Sequence, residues 1–588
     1  MKTSEASMQI ETETVKEEFA ASEELLAYSW ESVSLTSKTS NRRGIWVIIS
    51  PPSCTIADAI AEMIESADGA SVSRIILEAG DDAEHIVTKE LGAATDEAPR
   101  IIMFQSGNAD SLDQHRGSWE QAWQLVEVAR AASSRGRGGL WIVTCSAAIL
   151  WSGELGDPRL NFAWGAFRSL AAETESPVGG IIDFQNSDPA HLLSIILGSS
   201  SDDEHLLHND RLFVPRLRPL AIEKRAHGCS PTGLQLVTGG LTGIAFELSK
   251  WLAGCGAGHL LVVGRSGLDE ARRENLNVLR TLYKSVQYLE LDIGGLDSAH
   301  YLERTIGQLS MPLEGIYHLA SSWHRNGESV VLPLSKLARG DIEEVLGAKS
   351  TGGIAVYQLG KRLGASLIVY FSSAAATIGS PGQVGYAGAN AVLDGLAEVA
   401  AESGIRSCSI SWGPIGEAGF GALAMGEGLH QLWSKVGVER LSLDSMFDGL
   451  EYAIASQRTS VTYIGMRKES LALPWLHRRA AYAELVRPTS TEAQASDEAM
   501  HVTVHMIEEQ LLRRIPEILS LPSDAVTADS NLSEIGIDSL IALDLMFTIE
   551  RELELTLPYA ETILDLDVSI RGMSERVAAM LKTDKMAI

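Results

Sequence analysis

The sequence predicts an α/β chain: two tandem doubly wound units followed by a small all-helical bundle. Three observations predict it. Buried-strand runs alternate with helix-period stretches up to about residue 485, the second unit opens on a Gly-rich strand-to-helix turn, and apolar residues recur at spacings of three and four beyond residue 500. At 588 residues the chain is too long for one core. A net charge of −29 argues against a nucleic-acid partner, whose phosphates demand a basic face. The five cysteines (54, 145, 229, 255 and 408) lack metal-ligand spacing, so reduced thiols and no metal are expected. The sequence shows no signal-peptide core and no apolar run of about 18 residues, so no membrane is expected and the cytoplasm is the default location.

Residues 1–24 are rich in Glu, Ser and Thr and read as a linker or docking segment. The first unit, 25–228, has strand runs at 45–49, 75–77, 101–104 and 140–143, with a helix-period stretch from Trp119 to Ala132. Its first strand runs into Ser50-Pro51-Pro52-Ser53. Two prolines supply no backbone N–H, so this turn is not expected to cradle a pyrophosphate.

The second unit, 229–485, starts with the strand 234–237 and the turn Thr238-Gly239-Gly240-Leu241-Thr242-Gly243-Ile244-Ala245, which opens a helix. That is the context of a dinucleotide fingerprint, in which glycines admit the phosphates and the helix N-terminus supplies positive partial charge. The next strand, 260–263, ends in Gly264-Arg265-Ser266 with no acidic residue to hold ribose hydroxyls. A guanidinium there suits a 2′-phosphate, which favours NADPH over NADH. Asp292 and Ile293 close a third strand where an adenine contact would fall. Taken singly, Arg265 also reads as a solvated strand-end charge and Asp292 as a turn-former.

Tyr386 and Asn390 lie four apart on one helical face, and Ser373 ends an apolar strand run thirteen positions upstream of the tyrosine. A Ser and a Tyr converging on one carbonyl oxygen suggest a ketone reductase. The segment from Phe371 to Asp394 resembles the ketoreductase domains of modular type I polyketide synthases, a branch of the short-chain dehydrogenase/reductase superfamily. Trp30, Ile316-Tyr-His-Leu-Ala320 and Ser411-Trp-Gly-Pro414 resemble further landmarks, and the likeness covers nearly all of residues 25–480.

The resemblance implies two Rossmann-like units, a structural and a catalytic subdomain. It implies Tyr386 as general acid, Ser373 as donor to the substrate oxygen, and Lys349 as the cation beside the tyrosine. Asn390 would support a water relay or orient Lys349. Most short-chain reductases carry a Lys where Asn390 stands, and ketoreductases take theirs from an earlier helix, which is where Lys349 falls. A nearby cation is expected to lower the phenol's pKa towards operating pH. Residues 238–244, Arg265, Ser266, Asp292, Ile293, Lys349, Tyr386 and Pro414 would hold the cofactor. Taken alone, Ser373 also reads as a helix cap and Lys349 as a solvated helix charge. The loop Ser321-Ser322-Trp323-His324-Arg325-Asn326 lacks the Leu-Asp-Asp of many D-alcohol ketoreductases. Ile378 stands where the L-alcohol enzymes often have Trp. Lack of the Asp leans towards the L alcohol.

Residues 486–500 are polar and aperiodic, a linker. In 501–588, Asn531-Leu-Ser-Glu-Ile-Gly-Ile-Asp538-Ser539-Leu540 resembles the acyl carrier protein motif. That resemblance implies a 4′-phosphopantetheine arm on Ser539, installed by a phosphopantetheinyl transferase that meets the acidic helix of Asp544, Glu550, Glu552 and Glu554. Alone, Asp538-Ser539 also reads as an ordinary N-cap. The expected function is NADPH-dependent reduction of a 3-oxoacyl thioester carried on Ser539. Alternatives are a 2-oxoacyl thioester substrate and a silent reductase scaffold. Ketosynthase and acyltransferase partners are expected on other polypeptides or on a longer parent.

Overall fold

The computed structural model describes residues 22–35, 42–93, 99–107, 119–133, 139–147, 156–172, 178–198, 200–220, 232–295, 297–309, 311–322, 324–325, 328–329, 332, 334–416, 433–434, 437–467, 473–486, 504–519, 521–522, 525–532, 535, 537, 545 and 568–583. Among these, one continuous sheet of sixteen strands runs through both expected units.

In the second unit, seven parallel strands stand in the spatial order Ser285–Glu290, His259–Gly264, Leu234–Thr238, Leu313–His318, Leu367–Ser373, Arg406–Trp412 and Ser460–Met466. Chain order reverses between the strands Leu234–Thr238 and Leu313–His318, and such a switch point opens a crevice at the carboxyl ends of the strands. In the first unit, Val178–Gln185, Leu140–Cys145, Arg100–Ser106, Gly44–Ser50 and Ala70–Ile76 are also parallel. The inner strands of both units are near-continuous apolar runs, as expected where helices cover both faces, while the edge strands Ala70–Ile76 and Ser285–Glu290 are more polar and more exposed. The turn after Gly44–Ser50 carries Ser53 at φ 63° rather than a glycine.

One strand joins the halves. Ser22–Val33 pairs antiparallel with Ser460–Met466 on one side and with Arg211–Pro219 on the other. It begins before the expected boundary at residue 25. The helices Asn161–Ala172 and Val384–Glu402 pack face to face across the two units, so the tyrosine-bearing helix rests on the first unit.

Beyond the linker, the helices Val504–Leu519 and Ile570–Thr583 share an apolar cluster of Ile507, Leu511, Ile515, Leu532, Ile570, Met573 and Val577. Ser539 and its neighbours Asp538 and Leu540 lie outside the described residues, as do Asp544, Glu550, Glu552, Glu554, Trp323 and Asn326. No helix among the described residues is long and apolar enough to cross a membrane.

Candidate active site

The Gly-rich turn is tied to the neighbouring strand: the N–H groups of Gly239 and Gly240 both donate to the Val263 carbonyl, at 3.0 and 2.9 Å. Gly239 sits at φ +114°, and a Cβ there would lie 3.3 Å from both Ala245 and Leu319. Beyond the turn runs the helix Gly243–Gly254, with Thr242 at its N-cap. The cleft here, about 230 Å³, is lined by Gly239 to Thr242, Arg265, Ser266, Asp292 and Ile293, together with Arg272 and Tyr288. A narrow backbone cradle, a helix N-terminus and two guanidiniums at one end form a donor set that fits a dinucleotide with a terminal phosphate.

Three expected cofactor residues are employed differently. Thr238 is buried; its hydroxyl meets His318 Nδ1 at 2.9 Å and accepts the N–H groups of Leu319 and Ala320, so it braces the turn from behind. Asp292 lines the cleft and also accepts the Gly294 N–H at 3.0 Å, which makes it a turn-former as well. Arg265 is paired with Glu344 at 2.6 Å and with Ser322 Oγ at 3.0 Å. Burial pushes the Glu344 carboxyl up, and Arg265 and Ser322 outweigh it and hold it below its ordinary range. Ile244 and Pro414 are not among the residues lining the cleft. The Pro414 carbonyl accepts from the Leu441 N–H at 2.7 Å.

The catalytic candidates gather next to this cleft, whose wall includes Ala348. Lys349 lies in a π-helical turn, Gly347–Thr351, that interrupts the helical run from Arg339 to Leu363. Its side chain is 4% exposed. Its Nζ donates to the Phe371 carbonyl at 2.9 Å and stands 5.7 Å from the centroid of the Tyr386 ring. Ser373 ends its strand and caps the short helix Ala374–Ile378, its Oγ accepting the Ala375 N–H at 3.3 Å. Asn390 Nδ2 donates to the Tyr386 carbonyl at 2.8 Å, and its buried Oδ1 has no partner among the described residues. The Lys349 ammonium thus donates to a backbone carbonyl on the serine strand.

The electrostatics correct one expectation. Burial pushes the Tyr386 phenol up to about 12, against the lowering effect of hydrogen bonds with Ser373 and Asn390. Burial brings the Lys349 ammonium down to about 7, with Asp394 pulling it back. Desolvation is the largest influence on both groups, and it disfavours the charged form of each. The sequence reading gave no role to His318, quoted only within the landmark 316–320; its Nε2 donates to the Lys349 carbonyl at 2.8 Å and links that turn to Thr238. A histidine ending an apolar strand run was the available signal.

Residues 233–417 match the KR domain model, and residues 509–577 match the phosphopantetheine attachment site model. The chain is 28% identical over 475 residues to a phenolphthiocerol/phthiocerol polyketide synthase polypeptide of Mycobacterium tuberculosis, covering 75% of this chain and 25% of that protein. It is 28% identical over 540 residues to erythronolide synthase EryA3 of Saccharopolyspora erythraea, covering 88% and 16%. The chain therefore spans a quarter or less of the length of these relatives.

Among solved structures, an A-type ketoreductase from a modular polyketide synthase superposes with a TM-score of 0.68 at 22% identity, covering 78% of this chain and 98% of that one. A multidomain structure of adenylation, ketoreductase and pseudo Asub domains from a keto acid-selecting NRPS module superposes with 0.65 at 16% identity, covering 82% and 41%. At these identities the likeness shows the fold. Residues 233–417 thus form a KR domain and residues 509–577 a phosphopantetheine attachment site domain, and the chain is similar to polypeptides of modular polyketide synthases.

Proposed function

We propose that this chain reduces a 3-oxoacyl thioester, tethered through 4′-phosphopantetheine on Ser539, to the 3-hydroxyacyl thioester with NADPH. One observation carries the reading: Lys349 Nζ stands 5.7 Å from the Tyr386 ring centroid, and Ser373 and Asn390 both hydrogen-bond with that tyrosine, next to the Gly-rich cleft that Ala348 borders. NADPH bound in that cleft supplies a hydride to the carbonyl carbon. Gly239 and Gly240 would let the backbone approach its pyrophosphate, and Arg265, Ser266 and Arg272 border the place for its 2′-phosphate.

The chain's own work is done at the oxygen. Tyr386 Oη gives its proton to the nascent alkoxide as the carbonyl π bond breaks. A phenol near 12 remains protonated across physiological pH and is still more acidic than the aliphatic alcohol that the alkoxide becomes. Ser373 donates a hydrogen bond to the same oxygen and shares the charge that develops there. Lys349, whose Nζ stands 5.7 Å from the ring centroid of the tyrosine that loses the proton, would hold the nicotinamide ribose. The unpartnered Asn390 Oδ1 suits it to a water that returns a proton to Tyr386. Tethering on Ser539 presents the thioester at high effective concentration.

The fold is shared by reductases named for polyketide assembly and by one named for a keto acid-selecting module. The position of the ketone is therefore read from the product. Tyr386→Phe is expected to lower kcat about a hundredfold or more with NADPH affinity within twofold. Ser539→Ala is expected to abolish the phosphopantetheine mass shift while sparing reduction of a soluble 3-oxoacyl thioester. Mass spectrometry and NADPH fluorescence check both. Full turnover by Tyr386→Phe removes the acid assignment, and exclusive reduction of 2-oxoacyl thioesters shifts the substrate class.

A further inference from the structure

The short helix Ala374–Ile378 follows Ser373 directly, and every one of its residues is buried. A five-residue helix cannot satisfy its own last carbonyls, and burial keeps them from bulk solvent. Side chains from outside the segment that matches the KR model satisfy them instead. Arg168 Nη1 donates to the Ala376 carbonyl at 2.8 Å. Tyr28 Oη and Tyr482 Oη both donate to the Thr377 carbonyl, at 2.7 and 2.8 Å. Trp475 Nε1 donates to the Ile378 carbonyl at 2.8 Å.

The next residue, Gly379, stands at φ +77°, where a Cβ would lie 2.3 Å from the Arg168 carbonyl oxygen, so the chain lies directly on the helix Asn161–Ala172. The Ser380 N–H then reaches Ser169 Oγ at 3.3 Å. The donors are themselves fixed. Arg168 grips buried Glu204 through Nε and Nη2, with a shortest contact of 2.8 Å, and stacks 4.8 Å from the Tyr28 ring centroid. Arg479 closes the other side of Glu204 at 2.5 Å.

We infer that Tyr28, Arg168, Trp475 and Tyr482 are positioning residues for the reaction: they hold the helix after Ser373, and through it the direction of the Ser373 hydroxyl, from the first unit and the closing segment. The first unit, whose turn is not built for a nucleotide, thereby sets the geometry of the serine in the second. The inference rests on the proposed role of Ser373.

A double-mutant cycle between Tyr28→Phe/Tyr482→Phe and Ser373→Ala tests it, with kcat, KM and NADPH affinity measured on the full chain. The paired Tyr change strands one buried carbonyl and is expected to lower kcat about tenfold, with KM and NADPH affinity within twofold. In the Ser373→Ala background it is expected to cause no further loss. A merely structural role lowers kcat equally in both backgrounds and overturns the inference, as does unchanged kcat in the paired variant. Wild-type kcat in Ser373→Ala alone overturns the serine assignment itself and the route with it. If the paired variant fails to fold, Trp475→Phe, which removes one N–H, enters the same cycle with the same expectations.

Discussion

Lys349 and Tyr386 have been driven in opposite directions by one cause, loss of water, so that at pH 7 the phenol is neutral and the lysine about half-charged. The consequence for catalysis is visible in pH. Tyr386 stays a proton donor up to about 12 and contributes no limb below pH 10. Lys349 is a depressed base: charged below about 7 and discharged as pH rises through that value. If the ammonium is the working form, kcat/KM for reduction falls as pH rises through about 7 in the free enzyme. Lys349→Arg, charged at every accessible pH, is expected to be slower overall but to lose that limb. A limb persisting in Lys349→Arg assigns it to another group. The Tyr386–Asn390 spacing was readable from sequence because it is local, and Ser373 because it ends an apolar strand. Lys349 was placed only through resemblance, and its partners were not placed at all. The Phe371 carbonyl that holds it is a backbone atom, which side-chain patterns never announce.

At the scale of elements, the π turn Gly347–Thr351 is the piece that aims Lys349, and His318 pins it. The Lys349 carbonyl can only accept, so His318 carries its proton on Nε2 and accepts from Thr238 through Nδ1. A second proton would face the Thr238 hydroxyl, which already takes two backbone N–H groups. Burial first of all holds this imidazole at about 4, below its ordinary 6.5. The sign follows: a base depressed on folding stabilises the fold above 6.5 and loses that contribution as pH falls from 6.5 to 4. The loss is of the order of 3 kcal/mol for the full shift. His318→Gln is expected to melt lower than wild type at pH 7 but to lose less on acidification to pH 4.5, as followed by thermal unfolding at both values. Equal acid losses in the two proteins remove His318 as the source. Strand and helix periodicity marked the elements around this site well. The run at 75–77 proved to be the end of a longer strand, Ala70–Ile76, whose earlier residues alternate polar and apolar on a sheet edge. The π turn left no sequence mark that apolar periodicity could show, and the His318 bond to its Lys349 carbonyl spans 31 residues.

At the scale of the molecule, the tandem units are two ends of one sheet, and the strand Ser22–Val33 is the seam. Its acidic flank, Glu23, Glu24 and Glu31, hid it from a reading by apolar runs, and its partners lie at 212–219 and 462–466, far along the chain. Two partly separate stabilities would be expected of tandem domains joined by a linker. A shared sheet, the Glu204–Arg168–Arg479 cluster and the packed helices Asn161–Ala172 and Val384–Glu402 argue instead for one cooperative unit from residue 22 to 486. NADPH is proposed to bind only in the second unit, so it discriminates between the two cases. At a hundredfold excess over its Kd it adds about 2.7 kcal/mol to whatever unfolds with its site. In calorimetry of the full chain, the whole reductase transition is expected to move upward with NADPH as a single peak. The carrier helices, with a separate core, are expected to melt independently of the cofactor. If NADPH splits the reductase peak and leaves part of its enthalpy at the original temperature, the first unit folds on its own and the seam does not couple the halves.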